Sequence, residues 1–170
     1  MENAMMRPKA SSAMARALRK TSCVFMLVFA LCIFNETVVC AASCEKVVGH
    51  LNAGLSRPID EKELVEMLRR LNATGNKTLP DKFITKKEAL ALGWKPGKDL
   101  WSVKILRGSS IGGDRFGNYE RRLPDKHWRE ADLDYKGGRR GGKRLVFSSD
   151  GQRMITVDHY ATFTEVPSCR

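Results

Sequence analysis

The stretch from Trp128 to Tyr135 (WREADLDY) has a spacing suited to proton chemistry. Extended backbone turns successive side chains to opposite faces. Trp128, Glu130, Asp132 and Asp134 therefore share one face, and Arg129, Ala131, Leu133 and Tyr135 the other. The next β-prone run, Lys143 to Ser148 (KRLVFS), separates Arg144 and Val146 from Lys143, Leu145 and Phe147. An adjacent strand can thus set Arg144 against Glu130 and Asp132, placing an acid in a basic wall. A solvated sheet face crossed by ordinary salt bridges has the same alternation. Between the two runs, Gly137 to Arg144 (GGRRGGKR) is a glycine-bracketed basic loop, flexible enough to bring several cations to one phosphate. Arginine holds phosphate oxygens by two parallel charge-assisted hydrogen bonds, whereas lysine supplies a point charge. A sequence-neutral nucleic-acid-binding loop, or a solvated turn, reads the same way. His159, in Asp158-His159-Tyr160, is the histidine of a late β-like run. Until a partner is identified, a structural or exposed histidine fits equally.

These residues need elements to position them, and the chain reads as helices first and strands afterwards, an α+β order. From Asp60 to Asn72, Leu64, Val65, Leu68 and Leu71 recur at helical spacing, with acids at the start and Arg69-Arg70 at the end. Thr85-Lys-Lys-Glu88 is a capping-box pattern, and Gly93 can stop the short helix that follows it. Beyond Ser110, breaks separate β-prone runs at Trp128 to Tyr135, Lys143 to Ser148, Met154 to Val157 and Tyr160 to Val166. They predict an antiparallel meander, with Ser149-Asp150-Gly151 as the hairpin turn between the second and third.

The 170 residues carry 30 Lys and Arg against 19 Asp and Glu, a net charge of +11. This excludes an acidic tail protein or a large multidomain machine, and with 42% hydrophobic residues the chain can bury a core. Met1 to Lys20 holds five basic residues, Cys23 to Phe34 is an apolar run of twelve, and small residues end at Ala42. That order reads as a signal peptide over residues 1–42, cut after Ala42. A membrane anchor is the rival, but a spanning helix needs about 20 apolar residues, and Asn35, Glu36 and Thr37 interrupt this one. The remainder is still basic, which favours polyanions, nucleic acid or anionic membrane, as partners. Two cysteines remain, Cys44 and Cys169, near the new termini. Termini of a domain often lie close together and exported proteins keep disulfides, so one bridge between them is expected; two free thiols, or lipid attachment at Cys44, are the alternatives. Asn72-Ala-Thr and Asn76-Lys-Thr are glycosylation sequons only in a eukaryotic producer.

Five blocks stand in one order: LPDKFITKKEALALGW from Leu79, SIGGDRFGNYE from Ser110, WREADLDY from Trp128, KRLVFSSD from Lys143 and DHYATFT from Asp158. In these blocks the chain resembles the secreted bacterial guanine-specific ribonucleases of the barnase and binase family. The resemblance covers Leu79 to Thr164. It implies the microbial ribonuclease fold, N-terminal helices packed on a C-terminal antiparallel β-sheet. The organisation implied is a leader at 1–42, an N-terminal extension and first helix at 43–78, and a catalytic region at 79–170 that forms one domain with that helix.

Carried over by block, the resemblance places the general base at Glu130 and the general acid at His159. The phosphate-contacting cations fall on Lys86, Arg140 and Arg144. Asp132, two residues after Glu130 on the same face, is expected to pair with Arg140 or Arg144 and hold a guanidinium in place. Tyr160 is expected to help orient substrate. Phe116, Gly117, Asn118, Tyr119 and Glu120 resemble the guanine-recognition loop. There, a carboxylate at Glu120 accepts the N1 and N2 donors of guanine, and backbone N–H groups near Asn118 meet O6. The barnase pattern has an arginine where this chain has Tyr119; the Tyr119-Glu120 pair is similar to the fungal guanine-specific enzymes, whose ring stacks on the base. Three residues separate Pro124 from Trp128, fewer than in barnase, and Ser43 to Arg57 reads as an addition.

The implied activity is an exported endoribonuclease that cleaves single-stranded RNA after guanine, without metal or other cofactor. RNA is the implied substrate and a small acidic barstar-like protein the implied inhibitor partner. The chain is expected to be a monomer without stable membrane association after cleavage, either extracellular or periplasmic. The alternative from another class is a non-catalytic basic nucleic-acid-binding or antimicrobial exported protein.

Overall fold

Apolar residues at helical spacing decide the first half of the fold. The computed structural model describes residues 41–170; the expected leader, apart from Ala41 and Ala42, lies outside them. Helix α1 (Cys44–Gly54) buries Cys44, Val47, Val48 and Leu51, an i, i+3, i+4, i+7 stripe. It occupies the segment read from sequence only as an addition. Helix α2 (Glu61–Ala73) agrees with the expected helix: the Asp60 side chain accepts from the Glu63 N–H at 3.2 Å, and Leu64, Val65, Met67, Leu68 and Leu71 are buried. Its end is closed where the Thr74 hydroxyl donates to the Arg70 carbonyl at 2.8 Å, and Asn76 takes a positive φ of 59°.

Six strands form one sheet in sequential order: β1 (Phe83–Ile84), β2 (Ser110–Phe116), β3 (Trp128–Asp132), β4 (Arg144–Ser148), β5 (Arg153–Thr156) and β6 (Thr164–Glu165). The expected antiparallel sheet is corrected at its edge, where β1 runs parallel to β2. Between them the chain passes through helix α3 (Lys86–Ala91) and two 3₁₀ turns, Leu100–Ser102 and Lys104–Leu106, a crossover that returns it in the same direction. The other four pairings are antiparallel. Strand β2 is not among the expected β-prone runs, and its Gly112-Gly113 weakens the local strand signal. A Cβ on Gly112 would lie 2.7 Å from Phe83 and 3.0 Å from Ala131, so glycine is what allows this strand between its neighbours. Strands β3 and β6 are shorter than expected: Asp134 (φ 58°) ends the extended run after Asp132, and Tyr160 to Phe163 is loop.

The sheet has two distinct faces. Ala131, Leu145, Phe147 and Ile155 pack with the buried sides of α1 and α2 in the main core. A second core gathers Ala89, Trp94, Leu100, Leu106, Ile111 and Tyr135. On the opposite face of the central strands, Glu130 pairs in register with Val146, and Asp132 with Arg144. The sequence alternation is thus real, but both faces of β3 are covered: Glu130 and Asp132 are buried. The solvated-sheet alternative does not apply.

Cys44 and Cys169 form a disulfide. The Asn72 side chain donates to the Cys169 carbonyl at 2.9 Å, and the Arg170 N–H to the Ala42 carbonyl at 3.0 Å, so the two ends of the described chain are joined. Among the described residues no helix is long and apolar enough to cross a membrane. The bridge spans 125 positions of sequence. Denatured-chain entropy over such a loop is expected to make reduction, or Cys44→Ser with Cys169→Ser, cost about 5 kcal/mol. Urea unfolding with and without reductant measures this, with the midpoint falling on reduction.

Candidate active site

The site begins with a carboxylate that the sheet cannot leave unpaired. Glu130 is buried in β3, and an ionised group there needs partners. It has two: Lys86 Nζ donates to Oε1 at 2.9 Å, and the Tyr160 hydroxyl donates to Oε2 at 2.7 Å. Lys86 is the first residue of α3, and the expected capping box fixes that end, with Thr85 and Glu88 bonded reciprocally. The Lys86 N–H also donates to Asp114 Oδ2 at 2.9 Å, tying the helix start to β2. Asp114 was not singled out from sequence; its partner lies 28 residues away, beyond any local pattern. Burial, followed by the charge of Glu130, pushes the Tyr160 hydroxyl up to about 12, so it remains a proton donor to the carboxylate.

Asp132, also buried, gathers the two arginines. Arg140 donates from Nε at 2.5 Å and from Nη2 at 2.7 Å, a two-pronged contact. Burial opposes the charge of Arg140, but its bonds to Asp132 outweigh this and hold its pKa above the ordinary value. Arg144 Nε lies 2.8 Å from Asp132 Oδ1, yet that buried N–H has no hydrogen-bond partner because it does not aim at the oxygen. Nη1 of Arg144 donates instead to the carbonyls of Gly141 and Lys143 at 2.8 and 2.6 Å. One carboxylate thus serves two guanidiniums, which leaves surplus positive charge. Tyr135 holds the root of the basic loop: its hydroxyl donates to Asp99 at 2.7 Å and accepts from the Leu100 N–H at 2.9 Å. Gly137 passes so close under Trp101 that a Cβ would lie 2.8 Å from the ring.

His159 reaches the site from a loop rather than from the expected strand. Its φ of 62° and that of Tyr160, 71°, are left-handed values that non-glycine residues rarely adopt. Surrounding bonds hold this turn. The His159 N–H donates to the Gly142 carbonyl at 3.1 Å and the Tyr160 N–H to Thr156 Oγ1 at 2.9 Å. Asp158 accepts from the Thr162 N–H at 3.0 Å, from its hydroxyl at 2.6 Å and from the Thr156 hydroxyl at 2.9 Å. The exposed His159 ring stands edge-on to Tyr160, with centroids 5.7 Å apart. Lys86, Arg140, Arg144 and His159 line one hollow of about 620 Å³, alongside Leu90 and Trp94. Glu130 and Tyr160 line its neighbour of about 340 Å³, and the Lys86–Glu130 pair links the two.

That second hollow is completed by the loop after β2. Asn118 (φ 43°) closes it, donating to the Leu123 carbonyl at 2.7 Å and accepting from the Leu123 N–H at 3.1 Å. Phe116 stacks on Tyr160 with centroids 5.2 Å apart. Tyr119 is 95% exposed and its ring folds over Gly117, where any Cβ would meet it. Glu120 lines the hollow and is bonded to Arg122, a residue the sequence reading did not mark. The structure therefore brings Phe116, Gly117, Asn118, Tyr119, Glu120, Glu130 and Tyr160 to one hollow and Lys86, Arg140, Arg144 and His159 to the adjoining one. Asp132 stands behind the arginines. Among the described residues, no three His, Cys, Asp or Glu cluster closely enough to hold a metal ion.

A family model described as ribonuclease matches residues 69–167, a span that includes every one of these side chains. The chain belongs to that ribonuclease family. It is 50% identical over 93 residues to the ribonucleases of Bacillus intermedius and Bacillus pumilus, a match covering 53% of this chain and 57% of each relative. The same identity over 93 residues links it to a ribonuclease of Heyndrickxia coagulans, there covering 84% of the relative. The chain thus spans little more than half the length of the two Bacillus relatives.

Two outcomes are expected from this geometry. Removing the shared carboxylate by Asp132→Ala leaves buried guanidinium charge uncompensated and should destabilise the protein by about 3–5 kcal/mol in urea unfolding. Asp158 is held down at about 2, against an ordinary 3.8, first by the Thr162 hydroxyl and amide. A carboxyl with a depressed folded pKa stabilises fully above its unfolded value and loses that contribution as pH falls through the folded one. Exchange protection of the Tyr160 and Thr162 amides should therefore hold above about pH 4 and fall toward pH 2.

Proposed function

We propose that this protein is an endoribonuclease that cleaves single-stranded RNA after guanine without a metal ion. The observation that carries the reading is the placement of Glu130 and His159 on adjoining hollows, joined at the Lys86–Glu130 pair and walled by Arg140 and Arg144. A phosphodiester held there meets a proton acceptor on one side and a proton donor on the other.

In the first step the Glu130 carboxylate takes the 2′-hydroxyl proton as that oxygen forms a bond to phosphorus. The bond from phosphorus to the 5′-oxygen breaks, and protonated His159 gives that oxygen its proton, since an alkoxide leaves poorly. The products are a 2′,3′-cyclic phosphate and a free 5′-hydroxyl. Negative charge grows on the non-bridging oxygens, and Lys86, Arg140 and Arg144 stabilise it more in the transition state than in the substrate. In the second step water attacks the cyclic phosphate, His159 accepts its proton, Glu130 returns one to the 2′-oxygen, and a 3′-phosphate remains. DNA lacks the 2′-hydroxyl and cannot enter the first step.

Two exposed groups support the choice of guanine. Glu120 presents carboxylate oxygens to the hollow for the N1 and N2 donors, and Tyr119 offers a π-face; base stacking on an aromatic ring contributes about 1–3 kcal/mol. Removal of a leader at 1–42, export, and inhibition inside the producing cell by a small acidic protein complete the proposal. The basic surplus around Arg140 and Arg144 suits such an acidic partner, with the protein acting as a monomer.

Glu130→Ala and His159→Ala should each lower kcat/KM about 10²–10⁴-fold on a guanine-containing RNA oligomer in excess EDTA, while circular dichroism stays native. Cyclic phosphate ends should follow guanosine and disappear when its sugar is 2′-deoxy. Full activity in either variant, or salt-sensitive binding with no product, defeats the proposal and leaves a binding protein.

A further inference from the structure

The Glu120 carboxylate projects from an exposed loop, its side chain 68% accessible, and among the described residues its bonding partner is Arg122. Arg122 Nε donates to Glu120 Oε2 at 2.5 Å. A second nitrogen of the same guanidinium, Nη1, donates to the carbonyl of Ala161, 39 positions along the chain and two beyond His159. Arg122 lines the same hollow as Glu120, Glu130 and Tyr160.

We infer that Arg122 is the positioning residue for base selection: braced on Ala161, its guanidinium fixes the Glu120 carboxylate toward the hollow. This rests on the proposed guanine reading of that site. A free glutamate on a surface loop samples several rotamers, and ordering it on binding costs affinity for the base it is meant to choose. The brace settles that orientation in advance. An ionised carboxylate has about four acceptor positions, and Arg122 uses one. Oε1 and the second lone pair of Oε2 remain for the adjacent N1–H and N2–H donors of guanine. The two jobs need donors pointing in different directions from one rigid plane. Arginine supplies them; an ammonium group is a point charge on a flexible stem.

The test compares the unaltered protein with Arg122→Ala and Arg122→Lys on the dinucleoside phosphates GpA, IpA and ApA. Inosine lacks the 2-amino group and reports how much of the preference comes through that contact. Arg122→Ala is expected to raise KM for GpA about tenfold and to lower the GpA-to-ApA ratio of kcat/KM by a similar factor, as for loss of one charge-assisted contact. IpA should change less, and kcat and Tm little. Arg122→Lys should recover only a small part of the ratio. A ratio within about twofold of the unaltered protein in Arg122→Ala overturns the inference, as does full recovery by lysine or an equal loss on all three substrates. An unaltered protein with no preference between GpA and ApA, or no cleavage, defeats the proposed function instead.

Discussion

Like charges repel, and the constraint on which the site depends is that Lys86, Arg140 and Arg144 stand together around one hollow. Two buried carboxylates make this arrangement stable. Asp132 faces Arg144 across the β3–β4 ladder and also takes the fork of Arg140, while Glu130 takes Lys86. In a low-dielectric wall each pairing is strong only because the remaining donors and acceptors are also satisfied. The buried Nε of Arg144 is the exception, 2.8 Å from Asp132 Oδ1 but not aimed at it. Asp132 serves both arginines, and under the proposed function the surplus positive charge would receive phosphate, so that stability and anion binding would draw on one set of contacts.

A rigid sheet supplies only half of the site. Phe116, Glu130, Asp132 and Arg144 are on strands, whereas Lys86, Arg140, His159 and the Gly117–Glu120 loop are carried by a helix start and by turns. Each of these outer pieces has its own anchor. Asp114 and the capping box hold Lys86, Tyr135 holds the root of the basic loop, and Asp158 holds the turn bearing His159. The consecutive left-handed residues His159 and Tyr160 are strained conformations kept by the Thr156, Thr162 and Gly142 bonds around them. Loops so constrained place a side chain without the disorder that loops usually carry.

The helical side has a separate task. Helix α1 lays its apolar stripe on the core shared with α2, and the Cys44–Cys169 bridge fastens it to the last residues. None of the side chains lining the two hollows comes from this layer. Its contribution is to the main core under the sheet, so that changes there act on stability before they act on chemistry.

Local patterns made much of this legible in the residues alone. Helix α2 follows from apolar spacing and the Asp60 cap, α3 from Thr85 and Glu88, and the acidic and basic faces of β3 and β4 from simple alternation, because these depend on neighbours a few positions away. The stripe of α1 has the same form, in a segment that the family resemblance does not cover. The five ordered blocks carried the family and the candidate residues, including the spacing of Glu130 and Asp132. Other features depended on partners far along the chain. The parallel edge strand, the glycines that admit β2, the bond from Asp114 to Lys86, the turn that carries His159 out of any strand and the brace from Arg122 to Ala161 arise from packing between distant segments. Periodicity records which way a side chain faces; only the folded chain decides what it meets there, since that is fixed by where remote backbone segments come to rest.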